Sequence, residues 1–131
     1  MFINGRERIS VTEVATEPTD DYVLLYCQFL DDFRHESDEG KSGLIASAPK
    51  CLNDRPDYYD AFLAGVCETL AKESNIDIPG WIYEDRYYLD SPTFPDGTER
   101  VPGFQEFLRE TTPIEFAARN VLFGDNLMKR R

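Results

Sequence analysis

The run Pro56-Asp57-Tyr58-Tyr59-Asp60-Ala61-Phe62-Leu63-Ala64-Gly65-Val66-Cys67-Glu68-Thr69-Leu70-Ala71-Lys72-Glu73-Ser74 decides how this chain folds. Tyr59, Phe62, Leu63, Val66 and Leu70 fall at i, i+3, i+4, i+7 and i+11, one apolar stripe at the helical period. Asp54 or Arg55 leads in, Pro56 suits a first helical turn, and Asn75 is a natural stop. A helix over 56–74 would be roughly 28 Å long, about the width of a small domain. Burying its five large apolar side chains contributes on the order of 10 kcal/mol gross, so the rest of the chain is expected to pack around it.

Upstream, Phe2-Ile3 and Arg6 to Ile9 flank Asn4-Gly5, the dipeptide of a tight hairpin turn. Ser10-Val11-Thr12-Glu13 has the spacing of a capping box, and Pro18 would end the turn it starts. A helix over 19–35 follows, with Asp20 and Asp21 in its first turn and Tyr22, Leu25, Tyr26, Phe29, Leu30 and Phe33 on its apolar face. Its acidic end, Asp31 to Glu39, opposes the helix dipole and is expected to fray. A short helix over 43–48, with Leu44 and Ile45 inward, would stop before Pro49.

Downstream, Pro and Gly break the apolar segment 76–82, which reads as extended chain anchored by Trp81. Helical turns over 84–90 carry Tyr87, Tyr88 and Leu89, and 91–97 is a turn-rich loop containing Phe94. A helix over 102–110 would point Phe104, Phe107 and Leu108 inward. Thr112-Pro113-Ile114-Glu115 then offers an N-cap, a Pro at the first helical position and a Glu at the third. Past Val121-Leu122-Phe123 and Gly124, Asp125 could cap a last turn bearing Leu127 and Met128. The expected fold is all-α: a compact bundle of four to six helices with an irregular Pro/Gly-rich segment and a short N-terminal hairpin. The expected organisation is a single helical domain over 1–131, with 1–18 irregular or peripheral.

Twenty-five acidic residues against 14 basic ones leave a net charge of −11 in 131 residues. Such a field repels phosphate, so direct duplex DNA binding is not expected, whereas a basic protein is a fitting partner. The plainer reading of the charge is a solvated, solubilising surface. No stretch approaches the ~20 apolar residues of a membrane helix and no signal core is present, so the chain reads as cytoplasmic. Cys27, Cys51 and Cys67 are odd in number and lack a C-x-x-C pair, which suits a reducing compartment and argues against zinc. Cys27 and Cys67 lie in apolar helical runs, where a small buried hydrophobe is the expected role.

Chemistry-bearing patterns are sparse. His35 is the only histidine and Asp31 lies one turn before it, so the two could share a metal ion with Glu36 or Glu39; a solvated helix end is the simpler account. Cys51, the most loop-like thiol, would need His35 as its base. Asp57 and Asp60 are an exposed-looking pair. No phosphate-cradling glycine loop, G-x-S-x-G or H-E-x-x-H occurs, and nothing calls for a cofactor or metal, so the reading leans away from an enzyme. The rings that remain, Trp81, Tyr83, Tyr87, Tyr88 and Phe94, are candidates for a partner-binding face, or else they cover the core.

Ile78-Pro79-Gly80-Trp81, Tyr88-Leu89-Asp90-Ser91-Pro92 and Thr112-Pro113-Ile114-Glu115-Phe116-Ala117-Ala118-Arg119-Asn120 together resemble a domain of bacterial proteins that occurs alone or behind a helix-turn-helix module. The likeness covers roughly 45–131 and is most specific in the closing S/T-P-x-x-F-x-x-R-N motif, here Pro113, Phe116, Arg119 and Asn120. The resemblance implies a helical, antitoxin-like partner or regulator of a toxin protein. This chain departs from the regulator form, because only one secure helix precedes the shared region and no basic recognition helix does. The motif also has a structural reading, with Phe116 inward and Arg119 and Asn120 tying the last turn to nearby carbonyls or acids. The expected function is therefore an acidic protein-interaction module. The alternatives are a small hydrolase or metal-dependent enzyme built on Cys51 or Asp31/His35, and a DNA mimic or regulator accessory.

Overall fold

The computed structural model describes residues 2–3, 6–18, 21–52, 55–94 and 103–123. Within them β1 (Phe2–Ile3) and β2 (Arg6–Glu7) form a two-stranded antiparallel pair, Phe2 opposite Glu7 and Ile3 opposite Arg6. Six α-helices follow: α1 (Val11–Thr16), α2 (Tyr22–Arg34), α3 (Asp38–Leu44), α4 (Tyr59–Ser74), α5 (Phe104–Thr111) and α6 (Ile114–Ala117). Two 3₁₀ turns, Gly80–Tyr83 and Asp85–Tyr87, lie between α4 and α5. The architecture is the expected all-α one.

The central helix is α4, which is wrapped more completely than its stripe implied. Every residue from Ala61 to Glu68 is buried, together with Tyr59, Leu70 and Ala71. An apolar stripe buries one face of a helix, but the intervening Ala61, Ala64, Gly65 and Cys67 let neighbours close on the others. The helix begins at Tyr59, three residues after Pro56, because 56–58 form a tighter turn in which Tyr59 N–H donates to Pro56 O. It ends as expected at Asn75, whose φ of 57° is left-handed, with Ile76 N–H on Ala71 O and Asn75 N–H on Lys72 O.

Around α4 the rings interlock. Tyr22 meets Tyr59 edge-on at 5.1 Å, Tyr26 meets Phe62 at 5.0 Å, and Phe116 of α6 stacks on Phe62 at 5.9 Å. The apolar face read for α2 is the one that packs, with Tyr26, Phe29, Leu30 and Phe33 buried and Tyr22 and Leu25 against the core.

Several boundaries and faces differ from expectation. The helix predicted over 43–48 starts earlier, in the acidic stretch, because the Ser37 hydroxyl accepts Gly40 N–H and Asp38 and Glu39 occupy its first turn. The acidic end of α2 is pinned by other chain segments. Asp32 is buried, its Oδ2 accepting Ile9 N–H at 2.9 Å, while Arg8 donates to Asp32 O and lies 2.9 Å from Glu36. Phe107, expected inside, is 53% exposed, and of the predicted trio Leu108 is the side chain seen buried. The extended stretch read at 76–82 closes into a 3₁₀ turn at Gly80, although Trp81 does anchor it. Asn4-Gly5, Thr19, Asp20, Asp54, Pro95 to Gly97, Pro102, the side chain of Phe104, and Gly124 to Met128 lie outside the described residues.

The capping box at Ser10 and Glu13 forms in both directions. Having no basic residue in its own last turn, α1 receives one from elsewhere. Arg55, buried, donates to Val14 O at 2.7 Å and Glu17 O at 2.8 Å, and Leu52 N–H reaches Ala15 O.

Gly65 sets how closely α6 approaches. A Cβ there would sit 2.6 Å from Phe116 Cδ1, and that ring is confined by Phe62 and Phe123. Alanine gains ~1 kcal/mol of helix propensity, but overpacking a confined core costs about 1–3 kcal/mol. Gly65→Ala is therefore expected to lower unfolding stability by about 1–2 kcal/mol in urea titrations, and Gly65→Leu by more.

Candidate functional site

Glu68 is the one charged residue between Ala61 and Ala71, and it is buried with the apolar residues around it. A carboxylate there needs a partner, and the closing motif supplies it. Arg119, 1% exposed, donates from Nη1 to Glu68 Oε1 at 2.7 Å and to Glu115 O at 2.6 Å, and from Nη2 to Ile82 O at 2.8 Å. Its guanidinium lies 4.8 Å from the centre of the Tyr88 ring. Glu68 Oε2 accepts the Tyr83 hydroxyl at 2.9 Å and lies 3.5 Å from Lys72 Nζ, which in turn reaches Glu115 Oε2 at 3.0 Å.

Electrostatics follow from this geometry. Burial pushes the Glu68 carboxyl up, but the hydrogen bonds from Arg119 and Tyr83 and the charges of Arg119 and Lys72 outweigh it and hold the group below its ordinary value. Lys72 is raised, chiefly by its bond to Glu115. Tyr83 is raised by desolvation and by donating to Glu68.

Phe116 is fully buried, and the Asn120 side chain donates to Leu89 O at 2.7 Å. The backbone of Asn120 is left-handed, φ 65°. That turn lets Thr93 N–H reach Asn120 O and Leu122 N–H reach Thr93 O, both at 2.8 Å, around a parallel bridge between Thr93 and Val121. Pro113 caps α6 with its carbonyl, accepting from Phe116 and Ala117 N–H. Thr112, expected as the N-cap, instead closes α5: its hydroxyl donates to Leu108 O at 2.6 Å and accepts Phe123 N–H.

The rings singled out from the sequence divide by burial. Trp81 is 8% exposed, its indole N–H donating to Ile45 O at 2.9 Å. Tyr87 is fully buried, donates to Pro49 O at 2.8 Å and has a phenol pushed up to about 12, mainly by burial. Tyr88 and Phe94 are half-buried, and Tyr83 is 51% exposed. Glu68, Lys72 and Arg55 were missed as site or tie residues. The signal for Glu68 was present, as an isolated charge inside an otherwise uncharged helical run.

His35 closes α2 and sits on the solvent side, with Nδ1 2.7 Å from the backbone oxygen of Asp31. Cys51 is half-buried, and its N–H donates to Asp60 Oδ1 at 2.8 Å. Burial pushes the Cys67 thiol far up, which leaves it a packing residue. Among the described residues no group of three or more His, Cys, Asp or Glu is placed to hold a metal ion, and no helix is long and apolar enough to cross a membrane. Among the described residues, open clefts indent the surface. One, of about 360 Å³, is lined by Cys51, Leu52, Arg55, Pro56, Asp57 and Asp60. Another, about 500 Å³, runs between the end of α3 and the segment leading into the first 3₁₀ turn.

No protein-family model matches the chain, and neither a search of curated proteins nor one of solved structures finds a match.

Glu68→Gln removes the charge that neutralises Arg119, and a stranded buried cation costs about 3–5 kcal/mol. The pair stabilises the fold fully above the ordinary carboxylate range, and that contribution is lost as pH falls through the lowered value. Wild-type stability is expected to drop on acidification below that range, and Glu68→Gln to start lower with a shallower acid limb in chemical denaturation. At Asn120, Gly keeps the left-handed turn and Ala does not. Asn120→Ala is therefore expected to cost about 1 kcal/mol more than Asn120→Gly, measured in the same way.

Proposed function

We propose that this chain is an acidic protein-interaction module that docks a basic partner protein, of the antitoxin-like kind its closing motif resembles. The observation that carries the reading is a charge balance. Among the described residues the buried cations are Arg55 and Arg119, and the buried carboxylates are Asp32 and Glu68. Two against two cancel, so the net −11 of the chain falls to the remaining residues. A surface of that sign speeds encounter with a cationic protein and penalises phosphate backbones.

Affinity needs apolar anchors as well as charge. Val23, Leu24, Leu52, Tyr83, Phe107 and Ile114 are large apolar side chains at 40–68% exposure. Tyr83, set on the buried carboxylate of Glu68, is the ring best held in place for such a contact.

The tagged chain, isolated from its native host at physiological salt, is expected to bring down a basic protein in stoichiometric amount. Around 1 M salt, where the screening length falls to ~3 Å, that protein should be released. Recovery of the chain alone at physiological salt overturns the reading.

A further inference from the structure

We infer that the 500 Å³ groove between α3 and the Asp77–Trp81 segment holds that partner, through an extended stretch alternating Lys or Arg with small apolar residues such as Val. The inference rests on the interaction reading above and gives it a location.

Ser42, Ala46 and Ala48 line one side, and Asp77, Ile78, Pro79, Gly80 and Trp81 the other. Trp81 lines the groove with its one donor already satisfied by Ile45 O, so an apolar side chain laid against it leaves no buried N–H without a partner. The small residues Ser42, Ala46, Ala48 and Gly80 leave the groove open to solvent, which suits extended backbone more than a bulky helix. A Cβ at Gly80 or at Gly43 would meet no atom within 4 Å, so space is open above both.

The sign of the occupant comes from the rim. Asp77 lies in the groove, and Asp38 and Glu39 precede Ser42 by four and three residues on α3, which places them along the same helix face. Two cations are nearby. Lys41 has its ammonium 5.6 Å from the centre of the Phe33 ring, and Lys50, two residues beyond Ala48, is exposed. The carboxylates prevail, and the net −11 of the whole chain adds to them. A second copy of this chain carries the same charge and is disfavoured as the occupant.

The single tryptophan of the chain sits in the groove and reports directly on occupancy. The probe is a short synthetic peptide of alternating lysine and valine, with a glutamate–valine peptide as its counterpart. The first is expected to change Trp81 emission saturably, less so at high salt, and the second to leave it unchanged. Gly80→Leu fills the open space and Asp77→Lys reverses the rim charge. Each is expected to weaken the response about tenfold or more while unfolding at the wild-type temperature. No response of Trp81, an equal response to both peptides, or an undiminished response in both variants overturns the groove. A host partner recovered equally by wild type and Gly80→Leu overturns the groove but leaves the interaction reading standing; a wild-type chain recovered alone removes the reading itself.

Discussion

A guanidinium removed from water must find both counter-charge and hydrogen-bond acceptors, and the arrangement of this molecule follows from meeting that demand at Arg119. Its acceptors come from three separate places: the carboxylate of Glu68 on α4, the carbonyl of Glu115 on α6, and the carbonyl of Ile82 in the first 3₁₀ turn. Tyr88 covers the face of the group. Every element that touches Arg119 is thereby held at a set distance from α4, while the rings of Phe62, Phe116 and Phe123 pack against one another. The buried charges are matched, which leaves the exterior free to be strongly negative without leaving an unpaired ion inside.

Much of this was legible in the sequence. Periodicity located α2 and α4 and chose their inner faces, since large apolar side chains at helical spacing have few other ways to leave water. Cap chemistry located α1 and the end of α4, because a Ser-x-x-Glu box and a left-handed Asn act through neighbours only a few residues away. The errors fell where short-range signals competed. At α3, Ser37 with two following acids outweighed the apolar pair Leu44-Ile45 as a starting point. At Thr112, one hydroxyl was claimed by α5 before it could serve α6. Phe107 faces solvent although the pattern of α5 pointed it inward; among the described side chains of α5, Leu108 is the buried one.

The candidate site was less legible, and for a different reason. Motif reading singled out Arg119 and Asn120, but apart from the Glu115 carbonyl their acceptors lie far away in sequence, on Glu68, Ile82 and Leu89. Spacing carries no information about such pairings. The aromatic residues illustrate the same limit. Ring count alone does not separate Tyr87, enclosed and bonded to Pro49, from Tyr83, which presents half its surface to solvent. Only the tertiary arrangement distinguishes a ring that anchors the fold from one available to a partner.

The long reach of these ties bears on the order in which the molecule assembles. Glu68 and Arg119 are 51 residues apart, and Arg55 with Val14, Trp81 with Ile45 and Tyr87 with Pro49 are separated by 41, 36 and 38. During synthesis the middle helix leaves the ribosome well before Arg119 does, so until then the Glu68 carboxylate has Lys72 of its own helix as counter-charge. Loop closure over such spans is entropically uphill until the last partner arrives, which makes completion of the core a late and cooperative event for a protein built mainly of local helices.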